Sequence, residues 1–155
     1  MKATSLGLVA AVGAALFGSS SALAQENWTE GPVWTCTAYQ TAPGEFQNYM
    51  KWLRTNTLPI LSEEKKQGLV LDTKFFVKSP HDANDWDVLV CNLHSSYGQA
   101  LDYNKGDDDK MKAILAKQWK TPDQKRQQEL AKPRLEMRKF LGTTYCREVT
   151  LRPMP

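Results

Sequence analysis

The stretch Leu69–His94, LVLDTKFFVKSPHDANDWDVLVCNLH, decides how this chain folds. Leu69, Leu71, Thr73, Phe75 and Val77 alternate with Asp72, Lys74 and Lys78, the two-residue period of a half-buried strand, so a strand is expected over Leu69–Lys78. Ser79–Asp85 is rich in turn formers, and Trp86–His94 is again aromatic, aliphatic and β-branched, which makes it a second strand. The short connection is no crossover, so the two strands form an antiparallel hairpin.

Upstream, Val33–Gln40 (VWTCTAYQ) has strand composition and ends in the turn Thr41-Ala42-Pro43-Gly44. From Glu45 the apolar spacing becomes helical through Phe46, Tyr49, Met50, Leu53, Thr57, Ile60 and Leu61. Pro59 is expected to kink this helix, because its ring removes a hydrogen bond to the preceding turn. Gly68, behind Lys65 and Lys66, closes it. Downstream, Ser95 or Ser96 caps a helix starting near Tyr97, and Gly106 interrupts it. Asp107–Asp109 marks a fresh helix start, where acids suit the dipole; it lacks the alternating acids of a calcium loop. Met111, Ile114, Leu115 and Trp119 form the apolar stripe of that helix. Thr121-Pro122-Asp123-Gln124 reads as a capping box with proline at the first helical position. The last helix is expected to reach about Leu141, kinked at Pro133 and stopped by Gly142. Thr143–Arg152 is the final strand, ended by Pro153.

The order β-α-β-β-α-β is that of ferredoxin-like α+β domains, with a four-stranded antiparallel sheet and an extended second helical region. In this arrangement, with Pro43-Gly44-Glu45-Phe46 opening the first helix and Leu93-His94-Ser95-Ser96-Tyr97 stepping from strand to helix, the chain resembles the dimeric α/β-barrel superfamily. The likeness spans about Val33 to Pro153. It implies a homodimer in which two sheets face each other around a lumen that holds a ligand, each sheet's other face carrying its own helices. It also implies the sheet order 4-1-3-2.

Residues 1–24 have the layout of a secretory signal peptide: Lys2, the apolar run Leu6–Gly18, then Ala22-Leu23-Ala24. The run is too short to span a bilayer. A mature chain of 131 residues would begin at Gln25, a single domain with 19 basic and 17 acidic residues of the 20 and 17 in the whole chain. A surplus that small gives no footprint for nucleic acid, and no other apolar run suits a membrane. The expected location is the periplasm or the medium. Cys36, Cys91 and Cys146 are too widely spaced for a CxxC motif or zinc knuckle, and fit either one bridge with a spare thiol or three small buried side chains.

Strand alternation sorts the remaining residues between the two faces. With Cys36, Cys91 and Cys146 placed beneath the helices, their companions are Trp34, Ala38, Leu89, Leu93 and Thr144. The lumen face then shows Thr35, Thr37, Tyr39, Trp86, Asn92, His94, Tyr145 and Arg147, aromatic walls with a few polar groups. On this division a Cys36–Cys146 bridge joins the first and fourth strands; no metal site is expected. His94 is the natural proton-transfer group. Tyr39 would orient or protonate a substrate oxygen, and Arg147 would clamp an anionic group. Trp86, Asn92, Thr37 and Tyr145 complete the ligand-binding set, while His81 lies in a polar turn. The expectation is an exported homodimer binding a small apolar or aromatic molecule, with cofactor-free acid–base chemistry at His94. The alternatives are a non-catalytic ligand carrier or structural dimer, and a haem-degrading monooxygenase.

Overall fold

The structure, a computed structural model, describes residues 27–154, so the signal peptide expected over residues 1–24 lies outside the described residues. Four strands, β1 (Trp28–Thr41), β2 (Asp72–Val77), β3 (Val88–His94) and β4 (Arg138–Leu151), form one antiparallel sheet ordered β2-β3-β1-β4. The helices are α1 (Phe46–Trp52), α2 (Leu58–Lys66), α3 (Tyr97–Leu101), α4 (Lys105–Trp119), α5 (Gln124–Ala131) and the single turn α6 (Arg134–Met137). The class is α+β and compatible with the ferredoxin-like arrangement.

A π-helical segment, Leu53–Thr57, joins α1 to α2 where the kink was expected. Pro59 has no N–H to offer the Thr55 carbonyl, and the chain loosens by one residue per turn just before it. The freed Thr55 oxygen accepts instead from Gln118 Nε2 of α4, at 3.4 Å. Gly68 ends α2 at φ +75°, a conformation that favours glycine. Ser96 caps α3 through its side chain, which accepts from Gln99 N at 3.1 Å, and Asn104 caps α4 in the same way from Asp107 N. Asp123, not Thr121, caps α5, so Pro122 stands before that helix rather than inside it.

The last helix does not reach Leu141. It breaks at Pro133, and β4 starts at Arg138, because β1 extends to Thr41 and pairs Gln40 with Lys139 and Thr41 with Arg138. Strand pairing outweighs the helical propensity of Arg-Leu-Glu-Met-Arg-Lys here. The register slips by one residue between Ala38 and Tyr39, and Gly142 beside the slip has φ +148°.

The core lies between the sheet and α1–α2: Tyr49, Leu53 and Leu61 meet Val88 and Val90, with Tyr39, Phe46, Met50, Trp52, Phe75 and Met137 around them. This settles which side of the sheet the helices cover. Val88 and Val90 pair in register with Tyr39 and Thr37, so Thr35, Thr37, Tyr39, Asn92 and His94 all lie beneath the helices. The expected division of residues into two sets holds, apart from Trp86, but the faces are exchanged. The open face instead carries Trp34, Cys36, Phe76, Leu89, Cys91 and Cys146.

The disulfide also differs from expectation. Cys36 bonds Cys91, directly opposite it across β1 and β3. Cys146 faces Trp34 rather than Cys36 and is an exposed free thiol; the residue of β4 opposite Cys36 is Thr144.

Candidate functional site

The helix-covered side of the sheet has two halves. One is the apolar core just described. The other, towards the β3 end at His94, is polar: His94, Val33 and Arg147 form one row across β3, β1 and β4, and Asn92, Thr35 and Tyr145 form the next. Three side-chain atoms in these rows, His94 Nδ1, Thr35 Oγ1 and Arg147 Nε, are buried and meet no hydrogen-bond partner among the described residues. Buried polar atoms are normally paired, so these stand out; a fourth such atom, Arg138 Nε, lies in the other half, where the guanidinium stacks over Tyr39.

A cavity of about 420 Å³ opens over this half. Asn92 and His94 form part of its floor; α3 and α4 supply Gln99 and Met111, and the Leu69–Val70 segment and Glu64 of α2 close it. Glu64 is only 7% exposed, and no side-chain hydrogen bond or ion pair reaches its carboxyl among the described residues. Burial alone pushes its pKa above the ordinary carboxylate value. Burial likewise pushes His94 below 6.5, opposed by the Leu69 backbone, so its imidazole is neutral at neutral pH. Asn92 Oδ1 accepts from Thr73 Oγ1 at 3.0 Å, which holds the amide in place. Gln99 is anchored, its oxygen accepting from Ser95 N and its nitrogen donating to the Gly68 carbonyl. A neutral imidazole beside a fixed amide and a desolvated carboxyl can accept a proton from a bound molecule and hold its polar end.

The other expected site residues are dispersed. Tyr39 is part of the core, edge-on to Tyr49, with the Arg138 guanidinium 3.5 Å above its ring. Arg147 shares a row with His94 but lies two strands away, paired with Glu30 and stacked 4.7 Å over the Tyr97 ring. It has no place at the cavity. Thr37 is linked to Thr143 through their hydroxyls, 3.1 Å apart. Tyr145 stands on the edge strand, 42% exposed. Trp86 precedes β3, and it faces the open side with Lys78 Nζ 4.6 Å from its ring. Asp87 turns the chain at that point, accepting hydrogen bonds from Thr41 N and Oγ1. Of the expected set, the structure brings together His94 and Asn92. Glu64 was missed; its position three residues after Leu61, on the apolar side of α2, was the available signal.

On the open face, Trp34, Phe76, Trp86 and Leu89 surround a second, apolar hollow of about 430 Å³ that includes all three cysteines. Lys74 Nζ lies 4.9 Å over the Trp34 ring, and Trp34 Nε1 donates to Glu148. No group of three or more His, Cys, Asp or Glu among the described residues is arranged to hold a metal ion. No described helix is long and apolar enough to cross a membrane.

No family model matches the chain, and no curated protein matches it at a significant level.

Proposed function

We propose that this protein is an exported small-molecule-binding protein of dimeric α/β-barrel type, and that its ligand sits in the cavity over His94 and Asn92. The observation that carries this is the coincidence of a cavity with a buried polar atom left unpaired in its floor, His94 Nδ1, at the end of β3. His94 is the proton acceptor, Asn92 orients the ligand, and Leu69, Val70 and Met111 receive its apolar part. The site therefore lies under the helices of each subunit rather than in a lumen between subunits, and no cofactor takes part.

Export is supported by the leader pattern of residues 1–24 and by the Cys36–Cys91 disulfide, which suits an oxidising compartment. The homodimer is supported by the open face, where Trp34, Phe76, Trp86 and Leu89 have no cover from this chain's own helices. A second copy laid sheet against sheet buries them. A second reading, a carrier holding an apolar ligand in the hollow between two such faces without chemistry, is favoured by the aromatic lining there.

Native mass spectrometry of the protein recovered from its host's periplasm tests the proposal. It should show a dimer of chains beginning at Gln25 and a retained small molecule that His94→Ala loses. A monomer, or a molecule retained by His94→Ala and lost by Trp86→Ala, contradicts it.

A further inference from the structure

We infer that the ligand of the His94 cavity is a small organic amine, held as its cation by the Glu64 carboxylate; this rests on the cavity reading proposed above. Glu64 is the most buried of the acids lining the cavity, and nothing in the described residues compensates its charge. A carboxyl this deeply buried at the cavity wall, with no partner, is destabilising in the empty protein, and the cost is recovered when a cation enters. The surroundings select the sign. Asp102, Asp107 and Asp108 also line the cavity, and no lysine or arginine does. Asp107 and Asp108 have partners on their own helix, Lys110 at 3.5 Å and Lys112 at 2.6 Å, whereas Asp102 has no ion pair among the described residues. An anion brought here would meet four carboxyl side chains and no positive charge, only the neutral donors of Asn92, Gln99, Tyr103 and Asn104. A cation meets Glu64 at depth and Asp102 at the rim. Leu69, Val70 and Met111 supply an apolar part of the wall, so the amine carries a hydrocarbon or aromatic body that fits within about 420 Å³. The raised pKa of Glu64 in the empty protein agrees with this geometry, since an ammonium group would restore the ionised form.

Calorimetry with benzylamine and its neutral counterpart benzyl alcohol tests the inference. Benzylamine should bind about tenfold or more tightly than the alcohol. Glu64→Gln should erase that preference, and Glu136→Gln, which removes an exposed carboxylate outside the cavity, should keep it. Glu64→Gln should also raise the melting temperature of the empty protein, which a carboxyl serving only the fold would lower. Equal binding of the two probes, or a preference that survives Glu64→Gln, overturns the amine assignment and leaves the cavity standing as long as Met111→Trp weakens both. If neither probe binds, or Met111→Trp weakens neither, the cavity itself is overturned as the site.

Discussion

The two halves of the helix-covered side of the sheet are built to opposite ends, although the same strands pass through both. Under α1 and α2, Val88 and Val90 meet Tyr49, Leu53 and Leu61 in an apolar core, with the Arg138 guanidinium stacked over Tyr39 at its edge. Four residues further along β3, on the same side, Asn92 and His94 sit beneath a cavity with unpaired polar atoms around them. Burial that strengthens the first half weakens the second, because apolar side chains gain from leaving water while polar ones lose unless they find partners. The contrast teaches that the apolar packing of this fold is concentrated at one end of the sheet, and that the proposed site lies at the other.

The largest effect should come from the apolar half. Tyr49 is 1% exposed, and Tyr49→Ala should cost about 3–5 kcal/mol in urea unfolding, by loss of contact and the cavity left behind. A cost close to zero would erase the contrast. Next comes the bond that ties β1 to β3 beneath both halves. Cys36 and Cys91 are 55 residues apart, and replacing both by alanine should cost about 2–4 kcal/mol. The third effect has the opposite sign. Thr35 Oγ1 is buried without a partner, so Thr35→Val should stabilise the empty protein by up to about 1 kcal/mol, whereas the same change in a paired site would destabilise it.

The smallest effect is a dependence on pH. The folded pKa of His94 lies below 6.5, so the unfolded chain takes up the proton first as pH falls. The His94 contribution is therefore complete above about pH 6.5 and is lost as pH drops towards the folded value. Glu64 acts in the other direction: its carboxyl keeps its proton above 4.5 in the fold, so its contribution is complete below 4.5 and lost as pH rises through the folded value. Unfolding measured across this range should show His94→Gln flattening the loss on the acid side of pH 6.5 and Glu64→Gln flattening the loss above 4.5. An imidazole that titrates above 6.5 by NMR would contradict the burial of His94.

Much of the architecture was legible because the hairpin over Leu69–His94 alternates cleanly and its turn is rich in breakers. The strand set and the α+β class follow from that. The face assignment was not, for a definite reason: β3 is apolar on both sides at its centre, with Val88 and Val90 on one and Leu89 and Cys91 on the other, so alternation separates the two sets without saying which one meets helices. Carrying the strand phase back to Trp86 placed that residue with His94, whereas the chain turns at Asp87 and sends it to the opposite side. The disulfide depended on register, which the sequence does not show: Cys36 faces Cys91 on one neighbour and Thr144 on the other. The start of β4 at Arg138 was hidden by good helix formers whose pairing with the end of β1 is a long-range contact. Glu64 was hidden by composition, because Ser62-Glu63-Glu64-Lys65-Lys66 reads as a solvated surface, yet Glu64 falls on the buried side of α2 beside Leu61.

The most direct test of the account maps where benzylamine binds, through backbone and methyl NMR shifts of the intact protein. The account predicts changes at Leu69, Val70, His94 and Met111, with the signals of Trp34, Phe76 and Leu89 on the open face unmoved. Changes confined to the open face would contradict it.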